Sequence, residues 1–216
     1  PGSMLDLPNH SVLVGGLDHW TLDGAQIDEP RLIEKLKRLL DVQSLTLREP
    51  PPDNDDPLAP PTGITAWQFP EWFVTQDVDK TTQGQLRRSR LLVHRKSLTK
   101  GRFIDLDRVK RSVTPIRFVR ACRRGHIDDI DWYSFVHNDF DAPCRRQLYI
   151  DETGTSGDLS DVSVRCDCGA NRPIFEATML DALPLGVCHG NRPWLGVYSK
   201  ERCGEPLRLL VRSASN

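Results

Sequence analysis

All six cysteines of the 216-residue chain lie in its second half, at Cys122, Cys144, Cys166, Cys168, Cys188 and Cys203. No apolar run approaches the roughly 18–20 residues that a membrane helix needs. No secretory leader precedes Met4, and Pro1-Gly2-Ser3 reads as a cloning remnant. An unexported, cytoplasmic chain keeps its thiols reduced, so these cysteines read as metal ligands, reactive groups or core residues rather than disulfides. Hydrophobic residues are 38% of the chain, with 16 Pro and 15 Gly. Such a chain builds a modest core with many turns, which a tetrahedral thiolate–imidazole metal site would reinforce.

The cysteines divide most simply by their order in the chain. Cys166-Asp167-Cys168-Gly169, Cys188-His189-Gly190 and Cys203-Gly204 form a C-terminal group. In each, a glycine follows within two positions and frees the backbone to turn its N–H groups toward a thiolate. Cys166, Cys168, Cys188 and Cys203 would then make one closed four-cysteine zinc site, with His189 as a substitute ligand. Free buried cysteines and a redox role stay open beside it. The Cys-x-Cys spacing is tighter than the usual knuckle. Upstream, Cys122, His126, His137 and Cys144 would make a second set.

The organisation around these groups is α+β: short antiparallel strands, a few helices and a zinc-stabilised C-terminal half. Residues 1–49 read as an N-terminal strand and helix segment, 50–63 as a proline-rich connector, and 64–216 as the basic and zinc-binding region. Ser11–Trp20 reads as a strand entering a turn. From Asp28 the pattern predicts a helix, with Pro30 at its first position and Leu32, Ile33, Leu36, Leu39 and Leu40 on a core-packing face. The connector holds six prolines, which remove backbone donors and fix φ. Arg90–His94, Ile116–Val119, Gln147–Ile150 and Val162–Arg165 alternate as strands do, and Leu207–Arg212 reads as a strand or a helix start.

Charge is unevenly placed. The formal net charge is −1, yet residues 87–124 carry fourteen Lys/Arg and two acids, while 125–161 carry nine acids and two arginines. Arg87, Arg88, Arg90, Arg95, Lys96, Lys100 and Arg102 are therefore candidate phosphate contacts. The competing reading is that these cations face their own acidic neighbours. Trp67-Gln68-Phe69-Pro70-Glu71-Trp72-Phe73 reads as a core strand, a protein-binding surface or a base-stacking platform.

His126-Ile127-Asp128-Asp129-Ile130-Asp131-Trp132 raises a metal-dependent nuclease as an alternative. The simpler reading places Asp128 and Asp129 as N-terminal acids of a helix that buries Trp132, Phe135 and Val136. No phosphate loop, HExxH or GxSxG sequence occurs.

The string from Arg117 to Trp132, RFVRACRRGHIDDIDW, followed by Phe135-Val136-His137, resembles the B subunits of the DISARM anti-phage defence system (DrmB), within the helicase-associated zinc-binding proteins. Leu17-Asp18-His19-Trp20, Phe69-Pro70-Glu71-Trp72, Arg192-Pro193-Trp194-Leu195, Cys203 and Arg212-Ser213-Ala214-Ser215-Asn216 resemble the same family in the same order. The resemblance implies a bacterial, non-enzymatic adaptor beside a helicase partner, zinc at the cysteine clusters, and DNA restriction by the whole complex. It implies neither a membrane nor a small-molecule substrate. A protein-interaction scaffold without DNA contact is the alternative within that reading. In the family, the Phe-Pro-x-Trp stretch commonly leads into a Cys-x2-Cys knuckle, whereas here Phe73-Val74-Thr75-Gln76-Asp77 follows. Family members are also longer and continue past residue 216, which implies a fragment or a short relative.

Overall fold

The computed structural model describes residues 1–7, 10–20, 24–52, 54, 56, 58, 62–76, 79–80, 87–153, 158–196 and 201–212. In chain order the first elements are β1 (Met4–Leu7), β2 (His10–Val14), β3 (Gln26–Ile27), α1 (Pro30–Leu40), β4 (Leu47–Arg48), β5 (Ala66–Gln68), β6 (Trp72–Thr75), β7 (Asp79–Lys80) and β8 (Arg87–His94). There follow β9 (Leu98–Thr99), β10 (Arg102–Ile104), β11 (Lys110–Pro115), β12 (Phe118–Ala121), β13 (Ile127–Asp128), α2 (Trp132–His137), β14 (Leu148–Thr153), β15 (Val162–Cys166), β16 (Asn171–Pro173) and β17 (Arg208–Val211). The fold is α+β with short antiparallel strands, and the stretch from Leu207 to Arg212 contains the strand Arg208–Val211 rather than a helix start. Among the described residues no helix is long and apolar enough to cross a membrane.

A nine-stranded antiparallel sheet runs β16-β15-β14-β8-β6-β11-β10-β9, with β7 paired to β8 beside β6. Period-two alternation loads both of its faces. Val74, Leu92, Leu148, Ile150, Val162 and Val164 enter the main core with Trp132 and Phe135 of α2. On the other face Phe73, Val93 and Val113 form a smaller cluster with Leu98 and Phe103. Two three-stranded sheets, β1-β2-β5 and β13-β12-β17, share a third cluster of Leu13, Phe69 and Val119. The N-terminal strands thus pair with β5, beyond the proline-rich stretch, in the register Val12↔Gln68. Of that stretch, positions 53, 55, 57 and 59–61 lie outside the described residues. Phe69 and Phe73 of the aromatic segment are core residues, while Trp67 keeps 37% exposure.

Two local expectations are corrected. Helix α1 starts on Pro30 as the pattern requires, but it buries no residue. Leu32, Leu39 and Leu40 remain 44%, 70% and 59% exposed. Its flanking strands β3 and β4 have two residues each, too little sheet to cover an apolar stripe. Helix α2 begins later than the acid pair suggested. Asp131 is its N-cap and accepts from the Ser134 amide and hydroxyl, whereas Asp128 is already spent in β13. A capping carboxylate belongs one residue before the first helical position, and that residue is Asp131.

Candidate metal centres

The two antiparallel sheets that cross the second half decide which cysteines meet. Strand β14 pairs with β15 in the register Leu148↔Cys166, which sets Cys144, four residues before Leu148, beside the end of β15. The turn after Cys166 closes through the Gly169 amide on the Cys166 carbonyl and returns Cys168 to the same place. His137, the last residue of α2, completes a set of His137, Cys144, Cys166 and Cys168. Strand β12 pairs with β17, and the Val187↔Pro206 bridge holds Cys188 against the turn at Cys203. Cys122 and His126, on the turn between β12 and β13, complete Cys122, His126, Cys188 and Cys203.

All eight residues singled out in the sequence therefore fall into two groups of four, but not the expected groups. Instead of a four-cysteine set and a Cys-His-His-Cys set, each group has three cysteines and one histidine, with donor atoms within 4.8 Å of one another. The exposed His189 belongs to neither. Sheet pairing over long sequence distances overrides proximity along the chain.

The donor geometry fits a tetrahedral ion. Arms of ~2.3 Å from metal to sulfur set sulfur–sulfur edges of about 3.8 Å. Cys122 Sγ lies 3.9 Å from Cys203 Sγ, and Cys144 Sγ lies 3.6 Å from Cys166 Sγ. These separations are too long for disulfides, and all six cysteines are free. Cys122 Sγ is 3.2 Å from His126 Nδ1, and Cys168 Sγ is 3.2 Å from His137 Nε2. The two histidines thus present opposite ring nitrogens, and each places its other nitrogen on an oxygen. His137 Nδ1 lies 2.8 Å from the Tyr133 carbonyl, and His126 Nε2 lies 2.8 Å from Glu201 Oε1, though not squarely aligned for a hydrogen bond. Outer partners of this kind hold a ligating imidazole in one tautomer.

The thiols show why a cation is wanted. Burial pushes Cys166 and Cys188 each up to about 11, with the neighbouring sulfurs adding to the rise. Burial also works to raise Cys122, but the His126 and Arg124 amides and the His126 ring bring it down to about 7. The Ala170 amide and the His137 ring bring Cys168 down to about 6. Several thiolates cannot share one small volume without a compensating charge, and a divalent ion supplies it. The Gly190 amide is 3.3 Å from Cys188 Sγ. That approach needs glycine, because at φ +77° a Cβ would stand 1.7 Å from the Glu201 carbonyl oxygen.

The nuclease triplet does not assemble. His126 faces Cys122 and Glu201, Asp128 pairs with Arg120 at 3.4 Å, and Asp129 accepts the Glu71 amide at 3.0 Å. Among the described residues, the two Cys/His groups are the sets whose donors converge.

The basic residues divide as well. Arg90 is paired with Glu152 and Arg95 with Glu71, each at 2.6 Å. The exposed Arg88, Lys96, Lys100 and Arg102 have no ion pair among the described residues. The side chain of Arg87 lies outside the described set. Sequence reasoning missed Glu201, a carboxylate with no motif around it that only folding brings to His126.

A family model described as a domain of unknown function (DUF8724) matches residues 1–216. The chain belongs to the DUF8724 family. This DUF8724 chain is also 32% identical over 102 residues to the DISARM protein DrmB of Bacillus paralicheniformis. That match covers 47% of the DUF8724 chain and 18% of DrmB, so the similarity concerns a minor part of the longer protein.

Proposed function

We propose that this chain is a non-catalytic, zinc-binding adaptor subunit of a helicase-containing anti-phage defence complex, contributing DNA or partner binding in the bacterial cytoplasm. The observation that carries the reading is the pair of Cys3His groups, Cys122/His126/Cys188/Cys203 and His137/Cys144/Cys166/Cys168. Three soft thiolates and one imidazole in a four-donor arrangement suit structural Zn²⁺, whose four tetrahedral positions they would fill. Similarity to DrmB supports the defence setting. The exposed Arg88, Lys96, Lys100 and Arg102, without an ion pair among the described residues, support contact with DNA, and the uncovered apolar residues of α1 support contact with a protein. When bound, the ions cross-link β-strand ends and turns, and the chain's residues present the surface.

The test is elemental analysis of the purified protein together with phage plating. Two zinc per chain, and loss of protection in cells carrying Cys122→Ser in the complete defence system, are the expected results. A metal-free folded protein would remove the reading.

A further inference from the structure

A cleft of about 410 Å³ lies between the β6–β8 part of the large sheet and the segment around α2. Its walls include the rings of Trp72, Phe103 and Tyr133, and Lys96 and Arg145 stand at it with exposed side chains. No Asp or Glu is among its lining residues. The Arg145 guanidinium lies 5.0 Å from the centre of the Tyr133 ring, and Trp72 meets Tyr133 edge-on at 6.0 Å. Gln147 is fixed in one orientation. Its amide nitrogen donates to the Leu92 carbonyl at 3.0 Å and to the Leu148 carbonyl at 2.7 Å. Its side-chain oxygen is thereby an acceptor with no protein partner among the described residues.

Three kinds of group meet here: aromatic rings, cations with no acidic partner among the described residues, and a fixed acceptor. Rings bind flat π-systems, and cations bind phosphate. An amide acceptor suits an N–H donor on the edge of a base, such as the ring N–H of thymine. An acidic peptide would satisfy the cations and leave the rings and the acceptor idle. An apolar peptide would bury the two charges.

We propose that this cleft binds one unpaired nucleotide of a nucleic-acid strand, with its base against the rings and its phosphate at Lys96 and Arg145. The proposal deepens the nucleic-acid part of the reading above and rests on it. It also gives the second metal group a purpose. The Tyr133 carbonyl holds His137 Nδ1, and Arg145 Nη1 donates to the Cys144 carbonyl at 2.8 Å. Two of the cleft's walls are thereby tied to metal ligands.

The experiment is titration of the full zinc-loaded chain with a short single-stranded oligothymidylate, with the mononucleotide dTMP, and with poly-glutamate, read by tryptophan fluorescence at low and raised salt. The expected result is saturable quenching by the oligonucleotide, weakened by salt. Lys96→Glu and Arg145→Gln should each weaken binding by about tenfold with zinc content unchanged. Arg31→Glu/Lys35→Glu, on α1 and away from this cleft, should change it by less than about twofold. Wild-type affinity in both Lys96→Glu and Arg145→Gln overturns the proposal, as does loss confined to Lys100→Glu/Arg102→Glu beside a separate cleft. Equal affinity for dTMP reassigns the ligand from a strand to a free nucleotide, and equal displacement by poly-glutamate reassigns it to an acidic peptide. If no nucleic acid binds at low salt while zinc content and phage protection stand, the inference fails and the metal-bound adaptor reading survives.

Discussion

His126, 1% exposed, places Nε2 2.8 Å from Glu201 Oε1 while its Nδ1 faces Cys122 Sγ. Glu201 is also 3.2 Å from Arg192 and 3.5 Å from Arg124. Burial works against its charge, but Arg192, His126 and Arg124 together hold its carboxyl below the usual range. The ionised carboxylate therefore stands beside His126 Nε2, where it can orient the ring so that Nδ1 faces the thiolates. Glu201→Ala should release the ion of this group roughly 10–100-fold more readily, the usual cost of losing an outer partner. Competition with a chromogenic chelator measures it, and release from the His137 group should be unchanged in the same variant.

The partition of ligands has its own test. Cys168→Ser should lower zinc by one ion and leave the Cys122 group loaded, and Cys203→Ser should do the converse. Cobalt substitution reads each site through its thiolate charge-transfer bands. If Cys168 and Cys203 shared one ion, as the order along the chain suggested, the double variant would lose no more metal than either single one.

Removal of both ions should be costly, because Cys122, Cys166 and Cys188 are buried in the main core beside Trp132 and Phe135. Without the cation, these sulfurs must either stay protonated or repel one another. Chelation should lower the melting temperature by more than about 10 °C, and added Zn²⁺ should restore it. Calorimetry with and without EDTA decides.

Asp129 sets a pH dependence elsewhere. Burial raises its carboxyl to about 7, with Asp128 and Glu71 adding repulsion. Between the ordinary value near 4 and that raised value, the folded chain holds a proton that the unfolded chain has released. Stability from this residue is therefore greatest in acid and declines as pH rises through 7, by an amount on the order of 4 kcal/mol. Asp129→Asn keeps an acceptor for the Glu71 amide and carries no charge. It should raise stability toward urea at pH 8 and converge with the wild type near pH 4.

Helix α1 offers a contrast. Leu39→Gln and Leu40→Gln should change global stability by less than about 0.5 kcal/mol, because both side chains are already in water. A protein partner that docks on this helix would lose affinity in the same variants. Urea denaturation and pull-down of the defence complex separate the two effects.

The eight convergent Cys/His residues were legible as candidates because cysteine and histidine are scarce, and because Gly169, Gly190 and Gly204 mark turns beside the cysteines. Their grouping was not, since it depends on registers such as Leu148↔Cys166 and Phe118↔Val211 between distant strands. Strands β8, β14 and β15 follow from alternation. The exposure of α1 does not, because periodicity reports an apolar stripe and says nothing of what covers it. The basic run was legible as charge, but Arg90–Glu152 and Arg95–Glu71 show that part of it is answered internally. Arg145, outside that run, stands at the aromatic cleft instead.

The two Cys/His groups are nested: His137 to Cys168 lies wholly between His126 and Cys188. Tying the inner ring first roughly halves the free chain that must be gathered for the outer one, a saving of about 0.6 kcal/mol in closure entropy. Assembly is therefore biased to run from the inside outward, and the last clasp to form is the one that joins Cys188 and Cys203 to Cys122 and His126. A nascent chain would have the inner group complete before Cys188 and Cys203 are made, and the outer one would close only after them.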